Sequence, residues 1–191
     1  MATMFDFETD VPLLGITIDP DNPEKSVKEV LKVTKKTWSL EDVKLETGNI
    51  GYVNKTLVAV LNGGPEKVVF RVFTESFAAI MNKEREKVVT LLLHELKIAP
   101  SVICVFANGI CFEFIEGETF HWKDFSAFDD IRLVKSVMRE LARFHSQKSR
   151  DLAINKYHLE ETDFLNGHMS NCLKMYPDEE RVQALPDGEV K

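Results

Sequence analysis

Arg71 stands in the run Val69-Phe70-Arg71-Val72-Phe73. In a strand, alternate side chains share a face, so its guanidinium lies between Val69 and Phe73. A cation in that position needs an acidic partner or an exit to water. Glu86, in the first turns of the helix expected next, is a carboxylate that could meet it. Such a pair serves either as a structural ion pair or as a braced fork of donors for phosphate oxygens. A second constellation is Thr47-Gly48-Asn49-Ile50-Gly51-Tyr52-Val53-Asn54. Gly48 and Gly51 let backbone approach a ligand, and N–H groups up to Asn54 can cradle phosphate. The same segment also reads as a plain hairpin turn. A third is Phe106-Ala107-Asn108-Gly109 with Phe112-Glu113-Phe114-Ile115-Glu116-Gly117. It reads as a hairpin, or as a strand running into a hinge between two lobes. His94, His158 and His168 lack the spacing of a helical metal site. His145 ends a helix, and Asp129-Asp130 serves a helix start.

Several elements must position these groups. Residues 1–23 read as an extended lead-in punctuated by Pro12, Pro20 and Pro23. Ser26, with Glu29 three residues on, reads as the capping box of a short helix to about Lys36. Strands follow from Val43, over Thr56 to Leu61 and over Lys67 to Phe73, the last two joined by Asn62-Gly63-Gly64-Pro65. Asn82 caps a helix to about Lys97, which Pro100 ends. A hairpin of Val102 to Phe106 and Ile110 to Ile115 comes next. Val134, Val137, Met138, Leu141 and His145 then mark an amphipathic helix, and periodicity weakens beyond Ser149. The expected architecture is α+β: a five-stranded antiparallel sheet with one inserted helix, the plan of a protein-kinase-like small lobe. The expected domains are an extension with a short helix (1–40), the small lobe (41–117), the start of an incomplete, helical large lobe (118–176) and a charged tail (177–191).

Composition limits the partners. The 191 residues carry a net charge of -7 without a long basic run, which argues against nucleic acid or an anionic membrane as the main partner. No apolar stretch approaches the roughly 20 residues of a membrane span, and the acidic N-terminus is no signal peptide. The three cysteines, Cys104, Cys111 and Cys172, have no paired spacing, as in a reduced, cytoplasmic protein.

Over roughly residues 10–150, and most continuously from about Val68 to Gly117, these segments resemble the ethanolamine/choline kinase family. Val69-Phe70-Arg71-Val72-Phe73 is similar to the family's Arg-bearing strand, and Asn82-Lys83-Glu84-Arg85-Glu86 to its D-R-x-x-E helix start. Leu96-Lys97-Ile98-Ala99-Pro100, Phe106-x-Asn108-Gly109, Phe112 to Gly117 and Leu141-Ala142-Arg143-Phe144-His145 continue the match in order. Asp10-Val11-Pro12 and the helix ending at Trp38 lean towards the ethanolamine branch. The resemblance implies ATP-dependent phosphorylation of ethanolamine to phosphoethanolamine, towards phosphatidylethanolamine, with ATP and Mg2+ as cofactors. It implies that Arg71 binds ATP phosphates and Glu86 orients it. Residues from Gly48 through Gly51 to Asn54 would cover the phosphates, and Glu113 to Ile115 would take the adenine. Val53 stands where the family has a hydroxyl, and Thr56 is an extra residue. Neither an H-x-D-x-x-x-x-N loop nor a D-F-E metal segment follows His145. This chain is therefore expected to be a shortened, inactive ethanolamine kinase. The alternatives are a non-catalytic pseudo-kinase fragment that binds nucleotide or pairs with a full-length kinase, and a kinase-like phosphotransferase acting on choline or an aminoglycoside.

Overall fold

The computed structural model describes residues 8–48, 54–74, 82–117 and 131–159. Its elements in chain order are β1 (Leu13–Leu14), α1 (Glu24–Thr34), β2 (Val43–Thr47), β3 (Asn54–Leu61), β4 (Lys67–Phe73), α2 (Lys83–Glu95), β5 (Val102–Phe106), β6 (Gly109–Glu113), α3 (Ile131–Phe144) and α4 (Gln147–Asn155). The strands form one sheet in the order β1-β5-β6-β4-β3-β2. The five expected antiparallel strands are present. The sheet has six strands rather than five, because β1, within the expected lead-in, pairs in parallel with β5 (Leu13 opposite Val105). Two residues are too few to show a period.

Alternation divides the sheet into two faces with different cover. Leu57, Ala59, Val68, Phe70, Val72, Cys104, Phe106 and Cys111 pack with Val27, Val30 and Leu31 of α1 and with Trp38. The opposite face sends Phe73, Val102, Val105 and Ile110 against Val88, Leu91 and Leu92 of α2, and Tyr157 joins them. Among the described residues, only part of that second face is covered. Val58, Val69 and Phe112, directly opposite one another across β3, β4 and β6, stay half-buried.

Local chemistry fixes the helix ends. The Asn82 side chain accepts from the Glu84 and Arg85 N–H groups at 3.0 and 3.1 Å, the expected cap of α2. The expected Ser26 capping box does not form. The α1 helix begins at Glu24 with Pro23 at the cap position, and the Ser26 hydroxyl donates to the Pro23 carbonyl at 3.2 Å. The α4 helix, where periodicity is weak, packs Leu152 and Ala153 against the α2 cluster, and just after it Tyr157 and Lys156 both donate to Glu95 Oε2 at 2.7 Å. Burial and this carboxylate push the Tyr157 phenol well above its usual range.

The Asn108-Gly109 turn ties the N-terminal segment to the sheet. Asn108 Oδ1 accepts from the Ile18 N–H at 2.9 Å, and its Nδ2 donates to the Ile18 carbonyl at 2.8 Å. The Phe73 N–H donates to the Asn108 carbonyl at 2.8 Å. Gly109 permits this approach, since a Cβ there would lie 2.2 Å from the Arg71 carbonyl oxygen and 2.5 Å from the Phe106 ring. Gly109→Ala is therefore expected to cost about 2–3 kcal/mol, the upper range for overpacking, read as a lower urea midpoint. A midpoint unchanged from the wild type would contradict this packing.

Candidate functional site

Arg71 occupies the middle of β4, a central strand, opposite Thr56 of β3 and Ile110 of β6. It points to the face that α2 only partly covers. Its Nη1 lies 3.0 Å from Glu86 Oε1, with side-chain exposures of 38% and 19%. The expected pairing of strand cation and helix acid is present. The guanidinium keeps substantial exposure, so solvent and small anions can reach it.

Beside the pair lies an apolar row one step along the sheet. Val58, Val69 and Phe112 share Arg71's face, two residues or about 7 Å along their strands. An apolar platform next to a braced cation suits a ligand with a flat ring at one end and anionic oxygens at the other.

The remaining residues singled out in the sequence line the ends of this face. Asn54 opens β3 opposite Phe73 and shares the face of Arg71. The Gly48 N–H donates to the Thr56 carbonyl at 2.9 Å, continuing the β2–β3 ladder. A Cβ at Gly48 would sit 3.0 Å from Thr56 Cγ2, so the glycine keeps the end of the face low. Gly51 lies outside the described residues, as do Asp129-Asp130, His168, Cys172 and the tail from 177. At the opposite end of the sheet, Glu113 closes β6 opposite Val68, and its N–H donates to the Ser101 carbonyl at 2.9 Å. Of the expected base-binding groups, Glu113 can therefore offer its carbonyl, while Ile115, 64% exposed, lies just past the strand.

Two lysines that sequence reasoning passed over help build the site. Lys67 reaches Glu116 at 3.2 Å and stands 4.7 Å from the centroid of the Phe114 ring, fixing the segment after β6 against β4. Lys87, buried in α2, donates to Glu84 Oε1 and to the Ala107 carbonyl, both at 2.8 Å. Its neighbours Glu84 and Glu86 mark a polar helix start, and nothing in that pattern singles out Lys87. Only the tertiary approach of the 107–108 turn reveals its burial.

Other candidate chemistries find no support. Cys104 and Cys111 are free, buried and opposite each other, and burial with the neighbouring thiol pushes the Cys111 thiol well up, away from the reactive thiolate. His94 Nδ1 accepts from the Val102 N–H at 3.0 Å, a structural bond. Among the described residues no group of three or more His, Cys, Asp and Glu could hold a metal ion.

The family model described as choline/ethanolamine kinase matches residues 45–189. The chain is 25% identical over 137 residues to ethanolamine kinase 2 of Homo sapiens, covering 71% of this chain and 35% of that protein. Ethanolamine kinase 1 of Homo sapiens is 28% identical over 142 residues, covering 72% and 30%. Among solved structures, an ethanolamine kinase of Plasmodium vivax superposes with a TM-score of 0.51 at 20% identity, over 74% of this chain and 35% of the other. A choline kinase of Cryptosporidium parvum gives 0.54 at 19%, over 73% and 36%. Both structures share the fold, and the chain spans about 35% of the length of the first curated relative.

The Arg71–Glu86 pair is too exposed to be a main source of stability. A double-mutant cycle with Arg71→Met and Glu86→Gln, followed by urea unfolding, is expected to give a coupling below about 1 kcal/mol. A coupling of about 3 kcal/mol or more would make the pair a structural, buried-type bridge instead.

Proposed function

This chain belongs to the choline/ethanolamine kinase family, and on that premise we propose that the open face of its sheet is an ATP site serving ethanolamine phosphorylation. The observation that carries the reading is the Arg71–Glu86 pair at 3.0 Å beside the apolar row of Val58, Val69 and Phe112. The adenine ring lies on that row, its edge at the Glu113 carbonyl and the Ile115 N–H. Arg71 takes the phosphate oxygens, Glu86 holds the guanidinium ready, and Gly48, Gly51 and Asn54 cover the phosphates. Register supports the length of the site, since Glu113 pairs with Val68 and Ile110 with Arg71, about 10 Å apart along the strand. Ethanolamine is preferred over choline because the curated relatives above carry that name. The reaction would feed phosphatidylethanolamine synthesis in the cytoplasm. No helix among the described residues is long and apolar enough to cross a membrane.

The metal is a different matter. A divalent cation would neutralise charge on the transferring phosphoryl group. The described residues offer no carboxylate cluster to hold one, so no step is assigned to it. Phosphoryl transfer also needs a group that orients the attacking hydroxyl. No H-x-D-x-x-x-x-N segment follows His145 in this sequence. On this reading the chain binds nucleotide but turns over poorly by itself.

One observation favours a second reading, a non-catalytic module that pairs with a full-length kinase. Val137, Met138, Leu141 and Phe144 are exposed along α3, and that helix has no buried residue. An apolar stripe of this kind suits association.

The first reading is tested by titrating the 191-residue chain with ATP and with adenosine. Arg71→Met is expected to weaken ATP by about tenfold or more, the size of a lost charge-assisted contact, and to leave adenosine unchanged. Equal ATP affinity in the two proteins would remove Arg71 from the phosphate site. In a coupled ADP-release assay with ethanolamine and Mg-ATP, turnover is expected below about 1 s⁻¹, against roughly 10 s⁻¹ for a typical enzyme. Turnover near the typical value would place working catalytic groups within 146–191.

A further inference from the structure

The α2 helix is attached to the sheet in two different ways along its length. From Val88 onward, Val88, Leu91 and Leu92 are buried in the apolar cluster with Phe73, Val105 and Ile110. Before Val88 the one buried side chain of the helix is Lys87, 3% exposed. The first turns of the helix, which carry Glu86, are therefore held by polar contacts.

Those contacts form a closed circuit. Lys87 Nζ donates to the Ala107 carbonyl at 2.8 Å and to Glu84 Oε1 at 2.8 Å. Ala107 belongs to a turn that cannot give way easily. Its N–H donates to the Ile16 carbonyl at 2.8 Å, and Asn108 is bonded to Ile18 and to the Phe73 N–H. Gly109 lies directly against the Arg71 carbonyl. The path thus runs from the Arg71 backbone through the turn to Lys87, along the helix to Glu86, and back to the Arg71 guanidinium at 3.0 Å. A buried ammonium is costly unless its donors are satisfied, so Lys87 returns to this carbonyl whenever the helix turn is seated.

We propose that Lys87 is a positioning residue: its bond to the Ala107 carbonyl seats the first turns of α2, and that seating sets whether Glu86 braces Arg71 for an anionic ligand. The phosphate part of this inference rests on the function proposed above, whereas the seating of the ion pair does not. Replacing Lys87 by Met keeps the aliphatic stem and removes the ammonium. The Ala107 carbonyl then loses its partner, the helix turn shifts away from it, and Glu86 no longer fixes the guanidinium.

Two readouts on the full chain separate the inference from the phosphate reading. The first is the Arg71 Nε–H resonance in nitrogen-15 NMR without nucleotide, assigned by its loss in Arg71→Lys. Lys87→Met is expected to move it towards its position in Glu86→Gln, where the brace is gone. A resonance that stays at the wild-type position overturns the proposal. The second is affinity. Lys87→Met is expected to weaken ATP about tenfold, the effect of losing a charge-assisted contact at one remove, to leave adenosine within about twofold, and to add nothing in an Arg71→Met background. Equal losses for ATP and adenosine, or an undiminished further loss in the Arg71→Met background, show a merely structural lysine and overturn it. An Arg71→Met chain that binds ATP as the wild type does contradicts the phosphate reading alone, and the NMR readout still decides the seating. Should Lys87→Met fail to fold, the wild-type Lys87 Nζ resonance replaces it. The resonance is expected to shift between wild type and Glu86→Gln, and an unmoved signal contradicts the coupling.

Discussion

A guanidinium on a central strand is the constraint from which the described architecture can be understood. Arg71 has strands on both sides, so it cannot reach water past a sheet edge. It has to leave by the face. That face then cannot be sealed by an apolar layer, and a helix laid across it must carry an acid at the point of crossing. The α2 helix does so with Glu86, and its apolar side is confined to the residues that follow. The other face is covered by α1 and Trp38, and its own cation, Lys55 of β3 opposite Val72, is satisfied by donating to the Pro20 carbonyl. Arg71 and Lys55 thus leave the sheet on opposite faces, and Arg71 alone meets a helix carboxylate at its exit.

The open part is where ligand chemistry can occur. The row of Val58, Val69 and Phe112 would be poorly placed if it remained wet, and the cation beside it already has its brace. On the function proposed above, bracing would reduce the ordering entropy lost when a phosphate arrives, so the pair would be worth more to binding than to stability. The tethers at the ends of the sheet serve the same arrangement. Lys67 fixes the 114–116 segment, and the Asn108 turn holds the N-terminal segment and β4 together.

Much of this was legible in the sequence because it follows local rules. Period-two alternation put Arg71 on one face with Val69, and the Asn82 cap fixed the phase of α2 that turns Glu86 inward. Where the sequence misled, long-range contacts or weak local signals were responsible. The Ser26 capping box failed because Pro23 already ends the preceding chain in helical conformation, so the helix starts two residues earlier than Ser26 at Glu24. The β1 strand depends on β5 to exist, and α4 is placed by long-range contacts of Leu152 and Ala153 with the α2 cluster and of Tyr157, just after the helix, with Glu95. Lys87 is the sharpest case, since nothing in Glu84-Arg85-Glu86-Lys87 marks one of the four residues as buried. Its burial is produced by a turn twenty residues away in sequence. The apolar stripe on α3 is plain in the periodicity of Val134, Val137, Met138 and Leu141, and no residue of that helix is buried among the described residues.

The proposed placement of a nucleotide on the half-open face, between the end of β6 and Arg71, is tested most directly by hydrogen–deuterium exchange of the chain with and without ATP, which reports position without presuming chemistry. ATP is expected to slow exchange in peptides spanning β3 and in residues 113–117, and to leave the α1 peptide over 24–34, on the sealed face, as it was. Slowed exchange confined to α1, or none at all at ATP concentrations that saturate binding, would contradict the account.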